Sequence, residues 1–169
     1  MDYRHEIKFM VSDLELEKIK YRLDTIMPVD CHQIGDSYIV RSLYFDDIYN
    51  SCLEENMAGT DNRKKYRIRT YNRSSNMIRL EEKSKLRGMT RKMAQKISFE
   101  DTARYLNCEA SFDDNYLSAV LNTLMLSKNM HPVCIVEYDR TAYIEEVGNV
   151  RITFVRDLRG SLYPEYFLD

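Results

Sequence analysis

KKYRIRTY, residues 64–71, and MIRLEEKSK, residues 77–85, decide the fold. In the first stretch Lys65, Arg67, Arg69 and Tyr71 alternate with Tyr66, Ile68 and Thr70. In the second, Arg79, Glu81, Lys83 and Lys85 alternate with Ile78, Leu80, Glu82 and Ser84. Successive side chains of a β-strand point to opposite faces, so each stretch, read as a strand, gathers its charges on one face. The other face is largely apolar in the first strand and mixed in the second, where Glu82 and Ser84 are polar. A turn at Leu86–Gly88 leads to a third strand, Met89–Ser98, with Thr90, Lys92, Ala94, Lys96 and Ser98 in phase. Three successive strands with one basic face predict a folded sheet rather than a basic tail.

The charge balance sharpens the point. From Arg63 to Lys96 the chain carries thirteen Lys or Arg and two acids, Glu81 and Glu82, while the whole chain has a net charge of −2. A basic block in an otherwise acidic chain marks an anion-binding surface or a solvated face. Overall acidity and the lack of a repeating aromatic platform argue against a single-stranded nucleic-acid binder, although Tyr66 and Tyr71 interleave with the bases.

At 169 residues, with 44% apolar and 31% charged side chains, the chain is expected to form one domain over residues 1–169 with a substantial core. Cys31, Cys52, Cys108 and Cys134 have neither zinc-ligand nor disulfide-framework spacing, which suggests reduced thiols and a cytoplasmic location. No stretch has the apolar length of a membrane helix, and MDYRHEIKF does not have the pattern of a signal peptide.

The remaining elements read in order. Tyr3–Phe9 is expected to be a strand, with Arg4, Glu6 and Lys8 on one face. Ser12 and Glu15 form a capping box that opens a helix to about Met27, with Ile19, Leu23 and Ile26 at helical spacing. Tyr38–Phe45 reads as a strand and Asp46–Gly59 as a helix. Helices are expected over Phe99–Asn107 and Asp114–Lys128, the second with Leu117, Val120, Leu121 and Leu124 as its core stripe. Val133–Tyr143 and Val150–Asp157 are strands joined through Gly148-Asn149. About seven mostly antiparallel strands and four helices make the fold class α+β.

Tyr138 and Arg140 share one face of their strand, and Arg151 and Thr153 share one of theirs. If the sheet curls, these faces join the cationic face of the earlier strands. Burying so many cations with few carboxylates is costly unless an anion fills the space. Lys8, Lys65, Arg67, Arg69, Arg79, Lys83, Lys92, Lys96, Arg140 and Arg151 are therefore the candidate anion ligands. Glu6 and Glu81, set among them, are either divalent-metal ligands or counter-ions. Tyr44, Tyr66 and Tyr71 are expected to pack rather than bind, and His5, His32 and His131 show no ligand spacing.

YRHEIKF, SLYFDD, KYRIRTY, LEEKSK, KMAQKIS, EYDRTAY and VRITF, in that order from Tyr3 to Phe154, resemble the VTC-type polyphosphate polymerase domain of the triphosphate tunnel metalloenzymes. The resemblance implies an antiparallel β-barrel tunnel with helices packed outside. It implies ATP and inorganic polyphosphate as ligands, Mn²⁺ or Mg²⁺ as cofactor, and transfer of the ATP γ-phosphate to a growing chain. Carried over by position, it assigns phosphate binding to Lys8, Arg67, Arg69, Lys83, Lys92, Arg140 and Arg151. Arg67, Arg69, Lys83, Arg140 and Arg151 become the catalytic set, and Glu6 and Glu81 the metal set. Arg4-x-Glu6-x-Lys8 differs from the ExExK of the adenylyl cyclase and thiamine triphosphatase branch, which favours the polymerase branch.

Two departures set further expectations. The family has an acid shortly after RITF, where this chain has Val155, with Asp157 two residues on. The family also continues with a LEVKY-type strand that carries a metal-binding glutamate, whereas this chain ends at EYFLD. An open wall is therefore expected, with a homodimer or strand swap across it, and with polyphosphate binding retained where polymerase turnover is lost. The competing functions are a non-catalytic polyphosphate-binding or relic domain and a tripolyphosphatase.

Overall fold

The computed structural model describes residues 5–31, 33, 35–111 and 115–169. Helix α1 (Asp13–Ile26) is followed by strand β1 (Tyr38–Asp46), helix α2 (Ser51–Met57), and strands β2 (Arg63–Tyr71), β3 (Ile78–Leu86) and β4 (Met89–Ile97). Helices α3 (Phe99–Leu106) and α4 (Tyr116–Lys128) precede strands β5 (His131–Glu145) and β6 (Val150–Ser161) and a 3₁₀ turn at Pro164–Leu168. Among the described residues the strands form one six-stranded antiparallel sheet in the order β4-β3-β2-β1-β5-β6. The fold is α+β, and among the described residues β4 and β6 are the edges of the sheet.

One face of the sheet carries the core. Leu43, Phe45, Tyr66, Ile68, Ile78, Leu80, Ile97 and Ile135 pack against Tyr105 of α3 and Leu117, Leu121 and Met125 of α4. Phe167 of the 3₁₀ turn joins them, and Arg41 holds that turn by donating to the carbonyls of Tyr166 (2.7 Å) and Asp169 (2.5 Å). A second cluster puts Leu16 and Leu23 of α1 on Tyr143 and Phe154. Period two in β2 makes the division between faces sharp: Tyr66 and Ile68 turn to the helices, Arg67 and Arg69 away from them.

Several expected elements change. His5–Phe9 is not a strand, and Tyr3 and Arg4 of that expected strand lie outside the described residues. Among the described residues there are six strands, where about seven were expected. The Asp46–Gly59 helix shrinks to Ser51–Met57, because the Asp46 carboxylate accepts from the amides of Asp47, Cys52 and Leu53. Asp47 similarly accepts from Tyr49 and Ser51, so side-chain to backbone bonds hold residues 46–50 in a turn. The last helix is described from Tyr116; Asp114 lies outside the described residues. Strand β6 runs past Asp157, which sits at φ 50° beside a bulge, to Ser161. In α1 the capping box forms as expected, but the buried positions are Leu16 and Leu23, while Ile26 is exposed.

Candidate anion-binding face

The strand register stacks side chains of the face away from the helices into cross-strand rows. Lys65 pairs with Lys83, and Lys83 with Lys92. Two residues along, Tyr44 pairs with Arg67, Arg67 with Glu81, and Glu81 with Ala94. Two further on, Ser42 pairs with Arg69, Arg69 with Arg79, and Arg79 with Lys96. A single carboxylate row is thus flanked by two rows of three cations. Like charges directly opposite each other destabilise a sheet. Glu6 on Lys83 and Glu81 on Lys92 offset part of that repulsion.

Glu81 is the hub. It is fully buried, its Oε2 accepts from Arg67 Nε at 2.9 Å, Arg69 Nη1 lies 3.7 Å from the same oxygen, and Lys92 closes on Oε1. Burial pushes the Glu81 carboxyl up, but Arg67, Arg69 and Lys92 outweigh it and hold the group below its ordinary 4.5. Arg67 also donates to the Tyr44 hydroxyl at 3.0 Å, with its guanidinium 5.8 Å from the ring centroid. Burial pushes the Tyr44 phenol up, yet Arg67, Arg69 and Lys65 bring it below its ordinary value. Arg69 donates to Ser42 Oγ (3.0 Å) and, across the intervening strand β1, to the Tyr138 hydroxyl (3.3 Å).

The lysines carry the opposite signature. Burial pulls Lys65, Lys83 and Lys92 below their ordinary 10.5, and neighbouring cations add to it. Lys83 meets Glu6 at 2.7 Å, which lays the segment around residue 6 over this face, and Lys8 adds to the positive charge felt by Lys65 and Lys83. Lys65, Arg67, Arg69, Arg79, Lys83, Lys92, Lys96 and Arg140 thus share the face by register, with Lys8 beside them. Lys96 is exposed at its edge. Arg140 lies 5.6 Å over the Tyr38 ring, and Arg151 is tied to the buried Asp30.

Some expectations about individual residues divide. Tyr66 packs in the core and donates to Glu82 at 3.0 Å, whereas Tyr44 and Tyr71 stand on the cationic face. Sequence reasoning missed the Ser42 and Tyr138 contacts and the Asp30–Arg151 pair. Period two within SLYF would have shown Ser42 and Tyr44 in phase. His131 Nδ1 lies 2.9 Å from the Asn129 carbonyl, His5 is exposed, and His32 lies outside the described residues. Cys52, Cys108 and Cys134 carry free thiols, and burial pushes Cys52 up to about 12, which disfavours its thiolate.

The VTC domain family matches residues 3–165, and the chain belongs to that family. No curated protein matches it. Among solved structures, one provisionally described as an adenylate cyclase from Bacillus halodurans is similar at a TM-score of 0.53 and 15% identity, over 86% of this chain and 75% of that one. That likeness is one of fold, and here the sheet is unclosed among the described residues.

Triphosphate tunnel enzymes generally use divalent metals. Among the described residues no three His, Cys, Asp or Glu gather as a cation cage. Mg²⁺-type sites commonly take one or two carboxylates and complete the shell with substrate phosphates and water. Glu6 and Glu81, both on the cationic face, fit that partial role once phosphate is present. No helix of the described residues is long and apolar enough to cross a membrane.

Proposed function

We propose that the cationic face binds ATP and inorganic polyphosphate, and that the chain transfers the ATP γ-phosphate to a growing polyphosphate end. The observation that carries this is the pair of three-cation rows around one carboxylate row. Such a face suits a linear polyanion with a charge on every unit. A nucleic acid would call for stacking rings repeated along its path as well as charge.

The terminal phosphate oxygen of the chain attacks the γ-phosphorus in line. A new P–O bond forms, the bond from the γ-phosphorus to the bridging oxygen breaks, and its electron pair leaves on ADP. The attacking phosphate is already ionised near neutral pH, so no general base is required. Arg67 and Arg69, oriented by Glu81, Ser42 and Tyr44, neutralise charge on the transferring group, and Lys83, Lys92, Arg140 and Arg151 hold the flanking phosphates. Lys8, Lys65, Arg79 and Lys96 extend the path. Glu6 and Glu81 are the residues that would hold Mn²⁺ or Mg²⁺, which would supply further charge neutralisation.

A second reading, polyphosphate binding without turnover, is favoured by the ion pairs that already occupy both carboxylates. The test is chain growth and ADP release by the purified protein with ATP, a short polyphosphate primer, and Mn²⁺ or Mg²⁺. Metal-dependent synthesis supports the polymerase. Salt-sensitive binding of polyphosphate without ADP release supports the second reading, and phosphate release from tripolyphosphate would mark a hydrolase instead.

A further inference from the structure

The cationic face changes character along its strands. One end is lysine: Lys65, Lys83 and Lys92 in register, with Lys8 beside them. Six residues further along β2, about 20 Å at strand spacing, the face turns aromatic. Tyr71 and Tyr38 stand there with ring centroids 6.0 Å apart at 52°, and Arg140 lies over Tyr38. Both tyrosines are partly exposed and share the cationic face by register. The buried Nε of Arg140 makes no hydrogen bond among the described residues, and the guanidinium carries its charge beside the two rings.

The two ends suit different parts of a ligand. Lysine ammoniums are hydrated point charges that follow a phosphate chain, whereas tyrosine rings and a guanidinium offer planes on which a flat base can stack. We propose that the base of a nucleoside triphosphate stacks on the Tyr38–Tyr71 pair, with Arg140 taking the adjoining phosphate. The nucleotide then enters at the tyrosine end and the polyphosphate chain lies towards the lysine row. This rests on the proposed function, which makes a nucleotide one of the ligands, and adds the subsite and the direction of the path.

Calorimetric titration with ATP and with tripolyphosphate separates the two claims. Tyr38→Leu and Tyr71→Leu keep apolar bulk but remove the ring. Each is expected to weaken ATP binding about tenfold while tripolyphosphate binding stays within about twofold. Tyr38→Phe and Tyr71→Phe keep the ring and are expected to restore ATP affinity. Because the chain has no Trp, its tyrosine emission reports directly: ATP should quench it in the parent, and less so in Tyr71→Leu. An unchanged ratio of ATP to tripolyphosphate affinity in the Leu variants would overturn the stacking subsite and leave phosphate binding standing. The same holds if the Phe variants lose as much as the Leu variants. Failure of the parent protein to bind tripolyphosphate at all would overturn the anion face, and this subsite with it.

Discussion

The two faces of strand β2 follow opposite rules. On the helix side Tyr66 and Ile68 are buried in a core that needs no ligand, the Tyr66 hydroxyl and the Lys64 ammonium both reach Glu82, and the buried Thr70 hydroxyl makes no hydrogen bond among the described residues. On the other side Arg67 and Arg69 are nearly as deeply buried, yet they share one carboxylate with Lys92 and sit between rows of like charge. The first face is apolar in the main, and its Lys64 charge is paired by Glu82. The second carries more cation than carboxylate, an excess that an anion of high charge density balances under the proposed function. The comparison teaches that burial alone does not separate core from site; the balance of charge within the buried layer does.

The largest effect expected from breaking this contrast is on ligand binding. Arg67→Ala and Arg69→Ala should each weaken tripolyphosphate binding by roughly tenfold to a hundredfold, the scale of one or two charge-assisted hydrogen bonds. Titration calorimetry at fixed ionic strength checks this. Equal small effects at every base of the face would indicate a diffuse patch in place of a built site.

Glu81→Gln comes next. It leaves Arg67, Arg69 and Lys92 without their shared counter-ion. Full burial of an unpaired charge costs several kcal/mol; with Arg67 and Lys92 12% and 30% exposed, water moderates this to about 2–3 kcal/mol. Denaturant unfolding should show that loss in the free protein, with tripolyphosphate restoring much of it and binding more tightly than to the parent. Weaker binding that is lost only in the presence of Mn²⁺ would identify Glu81 as a metal ligand. Glu81 also sets the acid behaviour. Its folded value lies below its ordinary 4.5, so its stabilisation is fully present above that pH and is lost as pH falls through the folded value.

The basic half of this network was the legible part of the molecule. Strands β2, β3 and β4 follow from period two and like charge in adjacent segments, and the Ser12–Glu15 box is readable because its partners are three residues apart. Elements settled by distant partners were not legible. His5–Phe9 alternates like a strand, but strand formation needs a neighbouring edge, and among the described residues Glu6 instead reaches Lys83. Asp30 lies far from Arg151 in sequence, and no local pattern announces that pair. Asp46 and Asp47 read as a helix start, yet their carboxylates tie up several amides and delay the helix to Ser51. In α1 the 3.6 period allowed two faces; packing against Tyr143 and Phe154 selected Leu16 and Leu23.

The alkaline limb offers a finer comparison. Lys65, Lys83 and Lys92 have folded values depressed by burial. While they stay charged the free fold bears their repulsion. As pH rises through those values, below the ordinary 10.5, the penalty fades and so does the attraction for anions. Tripolyphosphate affinity should therefore fall in this range, with proton uptake on binding, measurable by calorimetry in buffers of different ionisation enthalpy. An affinity independent of pH up to the ordinary lysine value would mean that the lysines do not face the ligand.

On the helix face, Tyr66→Phe should cost about 1 kcal/mol of stability by removing the donor to Glu82 and leave tripolyphosphate affinity unchanged. Smaller still is Arg73→Ala. Arg73 is paired with Glu137 at 2.6 Å, half-exposed and off the cationic face. Its loss should cost no more than about 1 kcal/mol and leave binding unchanged.

The central claim, that one face of this sheet is completed by a polyphosphate, is tested most directly by thermal unfolding of the intact chain with and without tripolyphosphate at low and high salt. A ligand that binds only the folded state stabilises it by mass action, and screening weakens a charge-driven site. The predicted result is a clear rise in Tm at low ionic strength that shrinks as salt is added. No rise at low ionic strength would contradict the claim.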